Sequence, residues 1–250
     1  MSTQRVTDDQ TPQLTARAIP GMMLRTRHAG APETLAQSSR EWLFPGADEV
    51  FRGIYTRAGM GFASEVLAVC SAIAGEGRTT VSVGLAVTIA QDFPDRRVLL
   101  VEMDLERPAL AQDFALEETP GLIECIVSGE PLQNACRPSF LENLHLVPGG
   151  GKSLAAGRPL RSSRLAEIVD TMRQNYDLVI LDLPPMLVNS DAALLTDLAD
   201  GAIYVVRSGI TPTALVGKAL EQVEESKLRG VVLNSTQSAV PTWLHRMMGL

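Results

Sequence analysis

Residues Ser71 to Thr80 read SAIAGEGRTT, and this stretch decides the fold. It follows an apolar run, Glu65 to Ser71 (EVLAVCS), and leads into a second, Val81 to Ala90, that is apolar almost all round. An apolar strand that delivers a glycine-bearing loop to a helix start has the geometry of a phosphate-binding loop. Unpaired N–H groups and the helix dipole there converge on phosphate oxygens. In the pattern GxxxxGK[ST] the final pair falls on Arg78 and Thr79, and Ala72 takes the place of the first glycine. The expected phosphate contacts are Gly75, Glu76, Gly77, Arg78, Thr79 and Thr80, with the Thr79 hydroxyl as a Mg²⁺ ligand. The competing reading is a glycine-rich strand-to-helix turn that binds nothing. A rival stretch, GGGKS at Gly149 to Ser153, holds a true Gly-Lys-Ser, but its first-glycine position is Leu146 and no helical run follows directly. It reads as a loop.

Two further apolar runs end on carboxylates. VLLVEMDLERP, Val98 to Pro108, carries Glu102 and Asp104 at its end. Strand alternation puts residues two apart on one side, so both acids are expected to face the phosphate loop, hold Mg²⁺ through water and accept a proton from an attacking hydroxyl. YDLVILDLPP, Tyr176 to Pro185, closes an almost wholly Leu/Val/Ile strand on Asp182, the form in which a carboxylate positions the metal's water shell. Each acid alone could be a solvated strand end. Three strands that bring a phosphate loop, an acid pair and a third acid to one edge form a constellation that chance rarely assembles.

Short apolar runs alternate with longer periodic ones along the core, which predicts βαβ units and a doubly wound, mostly parallel α/β sheet. Strands are expected at 65–71, 97–103, 144–147, 177–182, 202–207 and 230–234. Helices are expected near 79–92, 110–114, 122–127, 162–176, 192–199 and 212–225. Residues 1–40 are polar and without sustained periodicity, and read as a flexible arm. Residues 41–240 form the nucleotide-binding domain, opened by an amphipathic helix at Asp48 to Arg57, and 241–250 form a short apolar tail expected to dock on its own domain.

The chain has 250 residues, 45% hydrophobic, with a formal net charge of -7, enough for one sizeable core and unfavourable for broad nucleic-acid binding. Cys70, Cys125 and Cys136 lack CxxC spacing and are expected to pack as reduced thiols. No signal peptide or membrane span is expected, so membrane association would come through a partner.

In this order the three motifs resemble the bacterial tyrosine kinases of the CpsD and CapB type, cytoplasmic relatives of the MinD and ParA ATPases that act in polysaccharide synthesis and export. SAIAGEGRTT resembles that family's Walker A, VLLVEMDLERP its Walker A-prime, and YDLVILDLPP its Walker B. Softer matches are TPGLIECIVSGE (119–130), VVRSGIT (205–211) and GVVLNST (230–236). The resemblance implies ATP and Mg²⁺ as cofactors, Thr79, Asp104 and Asp182 around the metal, and Arg78, Asp104 and Glu102 as catalytic groups. It implies an adenine contact from Asn234, a membrane-bound polysaccharide co-polymerase or activator as partner, and a cytoplasmic location, peripheral to the membrane through that partner. The family's ExxRxxR assembly pattern is matched by Glu49 and Arg52, with Tyr55 at its second arginine, which implies self-association.

The departures are chemical. Arg78 replaces the P-loop lysine, with which it is not interchangeable. Glu102 replaces an aspartate and moves its carboxylate by one methylene, and the family's C-terminal tyrosine cluster is missing, the only tyrosines being Tyr55, Tyr176 and Tyr204. Two functions follow: a protein-tyrosine kinase, or a pseudokinase or weak ATPase that binds nucleotide as a regulatory ligand of a polysaccharide export protein.

Overall fold

The computed structural model describes residues 17–20, 46–151 and 159–236, the first four as backbone. Among these residues eight strands form one sheet: β1 (Arg17–Pro20), β2 (Glu65–Ser71), β3 (Val98–Glu102), β4 (Arg137–Pro138), β5 (Leu144–Val147), β6 (Leu178–Asp182), β7 (Gly201–Arg207) and β8 (Leu228–Thr236). Their order is β1-β8-β7-β2-β6-β3-β5-β4. All neighbours run parallel except β4 against β5. After β2 the chain moves outward through β3 to β5, returns to β6, and then leaves by β7 and β8 on the other side. The winding therefore reverses beside β2 and β6, and a crevice at the carboxyl ends of such strands is where this fold class binds ligands.

Among the described residues eight α-helices cover the sheet: α1 (Ala47–Arg57), α2 (Arg78–Asp92), α3 (Leu110–Asp113), α4 (Leu122–Val127), α5 (Leu132–Ala135), α6 (Ser163–Asn175), α7 (Ala192–Asp197) and α8 (Thr213–Leu220). Alternate strand residues enter opposite cores, as a period of two requires. Val66, Ala68 and Cys70 join α4, α6 and α7 on one face, and Leu67 and Val69 join α1 and α2 on the other. All seven residues of β2 are buried, which is why this strand reads as an unbroken apolar run.

The all-round apolar character of α2 has two causes. One side lies on the sheet, and α1 packs on the other, with Phe51 fully buried against Gly84. A Cβ at Gly84 would stand 2.0 Å from the Phe51 ring, so glycine sets how closely the helices approach. At the rim, Arg52 Nε and Nη2 donate to Asp92 at 2.7 and 2.8 Å, and the Tyr55 hydroxyl donates to the same carboxylate at 2.9 Å. Arg52 also donates to Asp48 and Glu49 on its own helix. Arg52 and Tyr55 of the assembly-like pattern are thus engaged within the chain.

Two strands, and the one-turn helix α5, depart from the sequence expectation. Arg17–Pro20, inside the arm expected to be without structure, pairs with β8, and Arg137–Pro138 pairs with β5. Both are edge pairings made by backbone groups, which need no hydrophobic period. The apolar tail lies outside the described residues. Cys70, Cys125 and Cys136 are free thiols, and burial pushes the Cys70 thiol up to about 12. Among the described residues no helix is long and apolar enough to cross a membrane.

Gly84→Ala should lower stability by about 1–3 kcal/mol through overpacking, and Phe51→Ala by about 3–5 kcal/mol through an unfilled cavity. In the double variant the Gly84 penalty should vanish, so denaturant midpoints should be non-additive; additive losses would contradict the contact. The hydrogen bonds from Arg52 hold the Asp92 carboxyl below its usual range. A lowered folded-state pKa adds stability above the unfolded value and loses it as pH falls through the folded one. Wild-type melting temperature should therefore fall more steeply on acidification below about pH 4 than that of Asp92→Asn.

Candidate nucleotide site

The loop between β2 and α2 is shaped by its own side chains. Gly75 and Gly77 have φ of +81° and +91°, a region that costs a side-chain-bearing residue strain. The Glu76 carboxylate is turned inward: Oε2 accepts from Ile73 N at 2.7 Å, and Oε1 accepts from the Thr211 hydroxyl at 2.6 Å and from Arg207 N at 3.4 Å. A buried carboxylate with three donors is a rigid brace, here tying the loop to the segment after β7. The Thr80 hydroxyl makes no hydrogen bond among the described residues and is half-buried in the first turn of α2.

Arg78 opens α2 and is 8% exposed. A cation at a helix N-terminus meets an unfavourable dipole, and two carboxylates offset it. Nε donates to Asp182 Oδ1 at 3.2 Å, Nη2 to Asp104 Oδ2 at 3.1 Å, and Nη1 to the Ser71 hydroxyl at 3.3 Å. The Thr79 hydroxyl donates to Asp182 Oδ2 at 2.6 Å, and Ser82 Oγ donates to Asp182 Oδ1 at 3.0 Å. Burial pushes the Asp182 carboxyl above its ordinary range, while Arg78, Thr79 and Ser82 pull it down. The register that sets Val69 and Glu102 beside Asp182 brings the ends of β2, β3 and β6 to one edge. Thr79, Asp104 and Asp182 are hard oxygen donors there, a set that fits Mg²⁺. The guanidinium between the two aspartates matches their negative charge with a cation.

The two acids of the second motif part company. β3 ends at Glu102, so strand alternation does not carry on to Asp104. Asp104 meets Arg78, whereas Glu102 accepts from Ala109 N (2.6 Å), Leu110 N (2.9 Å) and Gly149 N (2.9 Å). Burial raises the Glu102 carboxyl against those three donors. The extra methylene lets Glu102 reach the start of α3 and the Gly149 loop, so the expected paired action of Glu102 with Asp104 has no geometric basis here.

The rival glycine stretch is a loop up to Gly151, and Lys152 and Ser153 lie outside the described residues. Its N–H groups serve the protein's own acids: Gly149 N binds Glu102, and Gly151 N donates to Glu124 Oε1 at 3.1 Å. Asn234 is also committed internally. Its Nδ2 donates to Glu76 O at 2.8 Å and its Oδ1 accepts from Ser235 N at 2.8 Å, and a Cβ on Gly77 would come within 1.9 Å of Nδ2. This amide props the phosphate loop with one of its two N–H groups.

Ser71, Ser82 and Thr211 are site residues that the motif patterns did not single out. Ser82 follows Arg78 by four residues on α2, so helical spacing could have found it. Thr211 stood in a quoted segment without a role, and Ser71 closed the strand.

The AAA domain family model matches residues 64–229. "Tyrosine-protein kinase YwqD" of Bacillus subtilis is 33% identical over 168 residues, 66% of this chain and 70% of that protein. "Succinoglycan biosynthesis transport protein ExoP" of Rhizobium meliloti is 30% identical over 181 residues, 70% of this chain but 23% of its own length. The kinase domain of Escherichia coli tyrosine kinase ETK shares the fold with a TM-score of 0.77 over 92% of this chain and 93% of that one, at 24% identity. The septum site-determining protein MinD of Pyrococcus horikoshii, complexed with Mg-ADP, shares it at 0.57 over 73% and 76%, at 22% identity. The sheet with its phosphate loop has the MinD/ParA-like P-loop fold, and the chain belongs to the AAA domain family, in the branch of the bacterial tyrosine-protein kinases.

Proposed function

We propose that the chain is an ATP-dependent protein-tyrosine kinase of capsule or exopolysaccharide biosynthesis or export. The observation that carries this reading is the convergence of buried Arg78, Asp104 and Asp182 with half-buried Thr79 at the phosphate loop. Backbone N–H groups of Gly75 to Thr80 and the Arg78 guanidinium hold the phosphate chain. Thr79 and Asp182 hold Mg²⁺, which supplies neutralisation of phosphate charge. Asp104 accepts the proton of an incoming tyrosine hydroxyl. The tyrosine oxygen bonds to the γ-phosphorus, the bond from that phosphorus to the β,γ-bridging oxygen breaks, and ADP departs. Glu102 holds the loops around this centre, and Asn234 with Glu76 holds the phosphate loop in shape.

None of Tyr55, Tyr176 and Tyr204 is presented as an acceptor. Tyr204 is fully buried, Tyr176 is half-buried with its hydroxyl on Cys136, and Tyr55 is tied to Asp92. The partner is a membrane-bound polysaccharide co-polymerase or activator, and the protein sits at the inner face of the membrane through it. Self-association uses the outer side of α1, where Glu49 is exposed.

A second reading, a pseudokinase or weak ATPase that binds nucleotide as a regulatory ligand, is favoured by one observation: Arg78 holds the carboxylates that phosphoryl transfer requires. Transfer of ³²P from ATP to a poly(Glu,Tyr) acceptor separates the two. The kinase reading predicts phosphotyrosine on the acceptor and none on Tyr55, Tyr176 or Tyr204, with Asp104→Asn reducing the rate by about 10²–10⁴-fold. ATP bound without transfer, together with transfer regained in Arg78→Lys, would move the chain to the second reading. No ATP binding at millimolar ATP and Mg²⁺ would sink both.

A further inference from the structure

A second cleft lies at the opposite edge of the sheet from the phosphate loop. Its volume is about 170 Å³, and it opens beside Arg97, which precedes β3, and Tyr176, which precedes β6. Those two strands end on Glu102 and Asp182, so a strand's length, about 16 Å for five residues, separates the cleft from the nucleotide site. Buried Leu132 and the Tyr176 ring give it an apolar wall. The ring stands edge-on to His145 of β5, centroids 5.7 Å apart, and its hydroxyl donates to Cys136 Sγ at 3.8 Å, which sets its orientation. Gln133 and Asn175 bring amides to the same cleft. No acidic side chain lines it, although the chain carries a formal net charge of -7.

The polar groups of this cleft are largely unspent. Neither the Arg97 guanidinium nor the Gln133 amide makes a hydrogen bond or ion pair among the described residues. Asn175 gives one N–H to Thr171 O at 2.7 Å and keeps its carbonyl oxygen. Burial and the Arg97 charge hold His145 below its ordinary pKa, so the imidazole is neutral at pH 7. Its Nδ1 is buried without a partner, and Nε2 has none among the described residues either, a condition that folded proteins rarely leave unanswered. Neutral amides and a neutral imidazole suit hydroxyl groups, which donate and accept. An unpaired guanidinium suits a carboxylate or phosphate, which it meets through two parallel hydrogen bonds. We propose that this cleft is a second ligand site, for a single sugar unit carrying an anionic group. The anion sits on Arg97, hydroxyls meet Gln133, Asn175 and His145, and the ring lies on the Tyr176 wall. At about 170 Å³ the cleft is smaller than sites for drug-sized ligands, so it takes one ring and not a nucleotide. It shares no residue with the nucleotide site.

Proton NMR of the full chain reads this site directly. The chain has three histidines, and the Cε1–H line that disappears in His145→Gln identifies the one in the cleft. Glucose 6-phosphate or glucuronate should move that line with a Kd of about 1 mM or tighter, and the tighter of the two assigns the anion as phosphate or carboxylate. Arg97→Gln, at an exposed position that folding does not depend on, should weaken binding at least about ten-fold, and Gln133→Ala by a smaller factor. Glucose and inorganic phosphate each carry half of the chemistry and should bind at least about ten-fold more weakly than the better sugar anion. An excess of AMP-PNP should leave the shift in place. A His145 line that neither sugar anion moves would overturn the proposal, as would an affinity unchanged in Arg97→Gln or matched by glucose or by inorganic phosphate. Loss of the shift on addition of AMP-PNP would put the sugar anion in the nucleotide site and overturn it as well, with the nucleotide reading intact.

Discussion

The guanidinium of Arg78 between Asp104 and Asp182 is the interaction on which the rest of this site depends. Three strands end at one edge with acids or hydroxyls directed at one another, and like charges at that spacing, out of water, would raise one another's cost of ionisation steeply. A single cation at the head of α2 resolves the conflict, and Thr79 and Ser82 take up remaining lone pairs of Asp182. The buried ionic cluster is weak evidence for stability as such. Its significance is chemical, because the same groups are the ones that phosphate and metal would engage.

The fold supplies the rigidity that such a site needs. α2 lies between the sheet and α1, so the helix whose first turn carries Arg78, Thr79 and Thr80 is packed on both sides. Glu76 fastens the loop ahead of that helix to Thr211 and Arg207, and Asn234 presses against Gly77 from β8. The phosphate loop is thereby joined to the segment following β7 and to β8 through hydrogen bonds of the Glu76 and Asn234 side chains. This arrangement makes Asn234 and Glu76 braces of the site in addition to whatever ligand contacts their neighbours make.

Much of this was legible in the sequence because the strands announce themselves. β2 and β6 are buried on both faces and read as unbroken apolar runs, and each ends on a residue of the site, Ser71 or Asp182. The helix after the loop was legible for a similar reason, although its sequence did not reveal that α1 would form its second wall. Glu102 and Asp104 were harder, since spacing by two implies one side only while the strand lasts, and β3 stops at Glu102. The position of Asn234 was readable from its motif, but the commitment of its amide depends on the missing side chain of Gly77, a long-range fit that no local pattern records. β1 and β4 left no periodic trace because backbone groups on sheet edges make them. Arg78 stood out as a substitution, yet its three partners come from β2, β6 and the segment after β3, and only the fold brings those together.

A crystal structure of the chain with Mg-ADP tests the central claim most directly. The account predicts the diphosphate in the loop from Gly75 to Thr80, the metal beside Thr79 and Asp182, and the Arg78 guanidinium turned from Asp104 and Asp182 to phosphate oxygens. Nucleotide bound elsewhere, or bound in that loop with Arg78 still bridging both aspartates, would contradict it.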